Sequence, residues 1–251
     1  MAEIRTQAKY CAQTWRLVFA VEVFIRADIL RGMIINRPLP RMIFFSALAA
    51  LSIPLAAVAQ IGLPDLTIDA ARLQSSLEIK TSPFRTNDCA VAEGCVDGKG
   101  KRTLLRFDVA TPNIGTADLV LGDPRSNTNI FEFSPCHGHY HFTGYASYEL
   151  LTTNDSSVIT GRKQAFCLED FARYSITAGP AKFTCSYQGI SVGWQDIYGS
   201  YLDCQWLDIT GVLPGDYVLR VTINPEQRLI ESNYSNNTAT ATVRIAPKGR
   251  K

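Results

Sequence analysis

Pro214-Gly215-Asp216-Tyr217-Val218-Leu219-Arg220-Val221-Thr222-Ile223 opens with turn chemistry and runs on as an alternating, β-branched stretch. Such a run after a Pro-Gly-Asp turn predicts a β-strand. Similar short runs occupy 103–109, 117–121, 145–151, 205–209 and 239–245, divided by turns such as Pro112-Asn113-Ile114-Gly115 and Leu121-Gly122-Asp123-Pro124. No long amphipathic helix is evident after residue 60. Closely spaced strands with Gly/Pro turns predict an all-β fold, an antiparallel β-sandwich. The stretch 160–204 differs, with Cys167, Cys185 and Cys204, several aromatics and little strand pattern. It is expected to be a long structured loop region pinned by disulfides, the kind of segment where chemistry is usually found.

Residues 42–59 form an apolar run without charge, preceded by Arg37 and Arg41 and ending Ala57-Val58-Ala59 before Gln60. The small-x-small ending and Pro54 favour a cleaved signal peptide over 33–59. An uncleaved membrane anchor is the competing reading, since the run just reaches spanning length. Met33 or Met42 is a candidate start, and residues 1–59 are set aside as a leader. The remaining 60–251 is long enough for one domain with a real core. Seven of the 25 Lys/Arg and three of the 23 Asp/Glu lie in the leader, leaving 18 basic and 20 acidic residues and a formal charge of −2. That balance points away from nucleic acid, and the mature chain has no stable membrane span. Cys89, Cys95, Cys136, Cys167, Cys185 and Cys204 remain. An even number behind a signal peptide predicts a secreted or periplasmic protein with up to three disulfides. A thiolate metal site is weaker, because no C-x-x-C pair exists.

The three histidines of the chain all fall in Pro135-Cys136-His137-Gly138-His139-Tyr140-His141. On an extended strand, H-x-H-x-H spacing lines three imidazoles along one face, roughly 7 Å from each to the next. Three imidazoles suit Cu(II) or zinc and not hard cations such as magnesium or calcium.

Several segments together resemble the lysyl oxidase family. Cys136–His141 followed by Tyr148-Glu149-Leu150-Leu151 looks like its copper-binding segment. Gly161-Arg162-Lys163-Gln164-Ala165-Phe166-Cys167-Leu168-Glu169-Asp170 is similar to its lysine-bearing segment, and Asp196-Ile197-Tyr198-Gly199 with Leu202-Asp203-Cys204-Gln205-Trp206-Leu207-Asp208 to its tyrosine-bearing one. The likeness continues through Asn224-Pro225 to Glu231-Ser232-Asn233-Tyr234-Ser235-Asn236-Asn237 and covers roughly 64–245. It implies a secreted copper amine oxidase that converts primary amines, peptidyl lysine among them, to aldehydes with O2, releasing ammonia and hydrogen peroxide. It further implies copper(II) on His137, His139 and His141, and a lysyl tyrosylquinone built from Lys163 and Tyr198. Lys163 must be neutral to attack an oxidised ring, so its pKa has to fall from about 10.4 through burial or nearby positive charge. Arg162 and a copper ion are candidates for that charge, and Asp196 and Asp203 are candidates for the general base.

The same resemblance implies a calcium site of Asp65, Leu66, Glu231, Asn233, Asn236 and Asn237, an oxygen donor set suited to a hard cation. Asn233 stands where the family commonly has aspartate. Asn233-Tyr234-Ser235 and Asn236-Asn237-Thr238 also match the glycosylation sequon, against which a buried calcium site would argue. The implied disulfides are Cys89–Cys136, Cys95–Cys204 and Cys167–Cys185. Ser134 and Arg162 replace family histidines, and the overall plan looks closer to microbial members than to animal ones. Two alternatives stand beside the oxidase: a three-histidine zinc hydrolase, and a non-catalytic, calcium-stabilised β-sandwich binding module.

Overall fold

The computed structural model describes residues 62–161 and 167–247. The expected leader and its apolar run lie outside the described residues, as do Arg162 and Lys163. No helix among the described residues is long and apolar enough to cross a membrane.

The opening stretch forms a long strand, Gly215–Ile223 (β13), paired along its length with Thr238–Ile245 (β14) and Ala146–Thr152 (β7); Ser157–Gly161 (β8) completes an antiparallel four-stranded sheet in the order β14-β13-β7-β8. Exposure along β14 alternates strictly, out then in. Ala239, Ala241, Val243 and Ile245 therefore face the core while the residues between them face water. Glu78–Phe84 (β1), Gly100–Arg106 (β2) and Trp206–Asp208 (β12) make a second antiparallel sheet. Val109–Pro112 (β3), Ala172–Arg173 (β9) and Trp194–Tyr198 (β11) make a third, ordered β3-β11-β9. Two pairs remain: Leu119–Gly122 (β4) with Gln188–Ile190 (β10), and Phe131–Ser134 (β5) with His139–Phe142 (β6).

One continuous core joins inward residues of these sheets, with Leu150, Leu219, Val221 and Ile223 on one side meeting Leu105, Phe107, Val109 and Tyr198 on the other. Each such Leu or Val contributes about 1.5–3 kcal/mol of burial. The short helix Ala70–Ser75 (α1), capped by the Asp69 carboxylate accepting from Arg72 N at 2.9 Å, drops fully buried Leu73 into the same core. The all-β, antiparallel, disulfide-pinned fold read from the sequence is the one observed.

The differences are local. The single strand expected over 103–109 is split, β2 ending at Arg106 and β3 beginning at Val109. The stretch expected to be loop, 160–204, holds β9, β10 and β11. Strands of two to five residues are too short to show a period, and only their partners identify them.

A buried carboxylate organises that stretch. Asp170 Oδ1 accepts from Ser191 N at 2.7 Å, and its Oδ2 from Ser191 Oγ at 2.7 Å and Lys182 N at 2.7 Å. Beside it, Leu168 N donates to Gln188 Oε1 at 3.0 Å. Cys167 bonds to Cys185, and the carbonyls of Cys167 and Leu168 accept from Tyr198 of β11 and Gly189 of β10.

Candidate metal and tyrosine site

The histidine window is a hairpin, and this corrects the expectation of one straight strand. Ser134 of β5 pairs with His139 of β6, and Glu132 with His141. Residues 135–138 are the turn between them. Gly138 has φ +70°, a left-handed conformation that glycine adopts without steric cost. His137 therefore sits on the turn, while His139 and His141 share one face of β6. The rings are not strung out at roughly 7 Å steps. Their centroids lie 4.9 Å (His139–His141), 5.4 Å (His137–His141) and 5.9 Å (His137–His139) apart. The curl of the turn folds the first imidazole back toward the other two.

His139 Nε2 and His141 Nε2 approach to 3.2 Å. Burial, with proximity to His137, holds the His139 pKa below its ordinary value, which favours the neutral ring that a metal needs. His137 Nε2 instead meets Glu93 Oε2 at 3.0 Å. Glu93 also has Cys95 and Cys204 beside it, all three presenting ligand atoms within 4.8 Å of one another. Those two sulfurs are bonded to each other, so no thiolate is offered there.

Tyr198 closes β11, opposite Val109 of β3. It is 2% exposed. Its hydroxyl donates to Cys167 O at 3.2 Å, and its ring meets Tyr145 edge-on at 5.6 Å between centroids. Burial, reinforced by the Asp196 carboxylate, pushes the phenol pKa well above its usual range. Asp196, two residues earlier, lies on the same strand face and is buried, its Oδ1 accepting from Ile197 N at 2.8 Å. Asp203 is exposed.

A cavity of about 180 Å³ is lined by His139, Cys167, Glu169, Asp196, Tyr198 and Tyr201 among others. One imidazole of the hairpin and the candidate tyrosine thus share a wall, although 59 residues separate them in the chain. Burial raises the Glu169 pKa, and the neighbouring Asp170 charge adds to it. Lys163 lies outside the described residues; Cys167, four residues after it, is the residue whose carbonyl holds the Tyr198 hydroxyl. Sequence reading missed Glu169, Tyr145 and Glu93. Glu169 stands inside a recognised motif, and Glu93 lies between Cys89 and Cys95, but neither position alone announces a partner.

At the other candidate site, the two ends of the domain meet. Glu231 is 4% exposed. Its Oε2 accepts from Leu66 N at 2.7 Å, and its Oε1 from Asn224 Nδ2 at 2.6 Å and Asn237 Nδ2 at 2.9 Å. Asn236 Nδ2 donates to Asp65 Oδ1 at 2.8 Å. Burial raises the Glu231 pKa against the pull of these donors. The buried Oδ1 atoms of Asn236 and Asn237 have no hydrogen-bond partner among the described residues, as oxygens left for a cation would. Asn233 turns its Oδ1 onto Ser235 N at 3.0 Å and Ser235 Oγ at 2.8 Å. Asn224 joins the cluster unannounced by the sequence.

The three disulfides are Cys89–Cys136, Cys95–Cys204 and Cys167–Cys185, the pairs implied by the resemblance. The lysyl oxidase family model matches residues 64–249. Human protein-lysine 6-oxidase is 37% identical over 199 residues, which is 74% of this chain and 46% of that protein. Human lysyl oxidase homolog 3 is 36% identical over 185 residues, 69% of this chain and 24% of that protein. The chain thus spans half or less of the length of these relatives. A solved CARDB domain from Pyrococcus furiosus has a TM-score of 0.29 at 13% identity, covering 73% of this chain and 90% of that one; at that distance it carries no argument.

Proposed function

The chain belongs to the lysyl oxidase family, and we propose that it is a secreted copper amine oxidase acting on primary amines, peptidyl lysine among them. The observation that carries the reading is the shared cavity, where His139, Tyr198, Asp196 and Glu169 face one space of about 180 Å³. His137, His139 and His141 would hold copper(II), with the close approach of the His139 and His141 nitrogens as support. Copper and a lysyl tyrosylquinone of Lys163 and Tyr198 would supply the one-electron and carbonyl chemistry that unmodified side chains lack.

The chain's own residues do the rest. The Cys167 carbonyl orients the Tyr198 hydroxyl, and the edge-on Tyr145 ring fixes the plane of its ring. Cys167, Asp196, Ile197 and Tyr198 form a buried wall of that space, and exposed Phe171 and Tyr201 stand at its open side. Asp196, on the face of β11 that carries Tyr198, is the group we assign to take the proton from the carbon beside the amine nitrogen. Glu169 adds a second carboxylate for a cationic substrate. A space of this size suits an unbranched amine chain, with a polypeptide remaining outside. The three disulfides support an oxidising compartment. A structural calcium ion on Asp65, Leu66, Glu231, Asn236 and Asn237 completes the proposal, with Asn233 a more remote member.

Peptide mapping of protein produced with copper tests it. A covalent Lys163–Tyr198 link with quinone absorbance is expected. Tyr198→Phe should abolish amine-dependent peroxide release while copper stays bound. Undiminished turnover in that variant would refute the role of Tyr198.

A further inference from the structure

We propose that Glu93 is a positioning residue of the metal site, orienting His137 and thereby setting copper affinity; this rests on the reading of the three histidines as copper ligands. His137 differs from its two companions in how it is held. His139 and His141 stand on β6, where the ladder to β5 fixes their backbone. His137 stands on the turn, outside that ladder, where a side-chain contact can steady its ring.

Glu93 supplies it. Oε2 lies 3.0 Å from His137 Nε2, and Oε1 accepts from Ser134 Oγ at 2.9 Å. Ser134 Oγ in turn accepts from His137 N at 3.3 Å. The His137 and Glu93 side chains are only 12% and 14% exposed, so water competes weakly for these bonds. A carboxylate only accepts, so the proton lies on His137 Nε2 and the lone pair on Nδ1. His139 and His141 converge through Nε2. With that tautomer, His137 would offer a metal its Nδ1, beside the Nε2 atoms of His139 and His141.

The placement of Glu93 is covalently enforced. The one-turn helix Cys89–Ala92 (α2) ends at Glu93, whose N donates to Cys89 O at 2.8 Å. Cys89 is bonded to Cys136, the neighbour of His137, and Cys95 to Cys204. Two disulfides therefore bracket the loop and press its carboxylate against the turn. Ser134, whose hydroxyl donates to Oε1, is the second anchor of that carboxylate. A carboxylate bonded to a ligating imidazole fixes its tautomer and raises its basicity, and losing it typically weakens metal binding 10–100-fold.

The test uses the full chain, stripped of metal by chelator and titrated with Cu(II) against a competing chelator. Glu93→Ala should weaken Cu(II) binding by about 10–100-fold. Glu93→Gln keeps the shape but loses the charge, and should fall near 10-fold, at the lower end of that range. If the alanine variant fails to fold, the glutamine variant reads the same quantity. Cu(II) EPR at half loading should show an altered hyperfine splitting in either variant, which a purely structural role would not produce. Glu93→Gln with an affinity within about 2-fold of the parent and an unchanged spectrum overturns the proposal. Failure of the parent chain to bind Cu(II) overturns the copper reading itself, and Glu93's role falls with it.

Discussion

Glu231→Ala should lower thermal stability by an amount that can be counted from its bonds. The carboxylate is 4% exposed and accepts from Leu66 N, Asn224 Nδ2 and Asn237 Nδ2, at 2.6–2.9 Å. Truncation strands three N–H groups, although Asn224 Nδ2 keeps its second bond, to Leu229 O at 2.8 Å; each costs about 1–3 kcal/mol when buried and unsatisfied. Water entering the vacated space offsets part of this, so we take the low end, about 3 kcal/mol in all. At roughly 2–4 °C per kcal/mol for a domain of this size, Tm should fall by about 6–12 °C. The pH dependence has a definite sign. Burial raises the folded pKa of Glu231, so its contribution is full below the unfolded value of about 4.3 and declines as pH rises through the folded pKa. In chelator, the gap between parent and variant should therefore be wider at pH 4 than at pH 7. Calcium reverses the trend, because it favours the ionised carboxylate; at about 100 Kd it should add about 2.7 kcal/mol to the parent and little to the variant. Differential scanning fluorimetry in chelator and in calcium chloride measures both effects. A Tm within about 2 °C of the parent in chelator, less than 1 kcal/mol, would refute the hydrogen-bond argument. An equal calcium response in both proteins would refute Glu231 as a ligand.

Replacing Cys89 and Cys136 together by alanine opens a loop of 47 residues, which the chain-entropy relation puts at about 4 kcal/mol; urea unfolding of the non-reduced proteins should show it, and equal midpoints would count against it. Asp208→Asn should flatten the acid limb of stability. Burial opposes ionisation of Asp208, yet hydrogen bonds from Thr210 and Arg102 prevail and hold its pKa below the usual carboxylate value. Its contribution is present above the unfolded pKa of about 3.9 and is lost as pH falls through the folded one, so parallel Tm–pH profiles in parent and variant would show the pair to be inert. Asn113→Ala removes two acceptor contacts, to Asp65 N and Gly115 N, and two donor contacts, to Ala117 O and Ile190 O, from a residue with no exposure. A loss of at least about 2 kcal/mol is expected, read by chemical denaturation, and an unchanged midpoint would contradict it.

Local pattern and tertiary placement divide cleanly here. Alternation along 239–245 was readable because one face of β14 meets the core and the other meets water, a difference that each residue records in its own polarity. The split between β2 and β3 was not, since Leu105-Arg106-Phe107-Asp108-Val109 alternates apolar and charged straight through the break, with Leu105, Phe107 and Val109 all fully buried, and an unbroken alternation hides a bend. The H-x-H-x-H spacing marked three imidazoles that do come together, but it was a poor guide to their geometry. Pro135 and Gly138 are turn residues, yet the same string is compatible with a straight strand until Ser134 is seen paired with His139.

The sequence by itself determined the residue types: imidazoles, a tyrosine, oxygen-rich ends and paired cysteines, because chemical character is a property of each side chain alone. Only the tertiary structure decided which of them meet. Glu93 reaches His137 across 44 residues and Asp65 reaches Asn236 across 171. Contacts at such separations are made by sheets closing over a common core, and no local period encodes them.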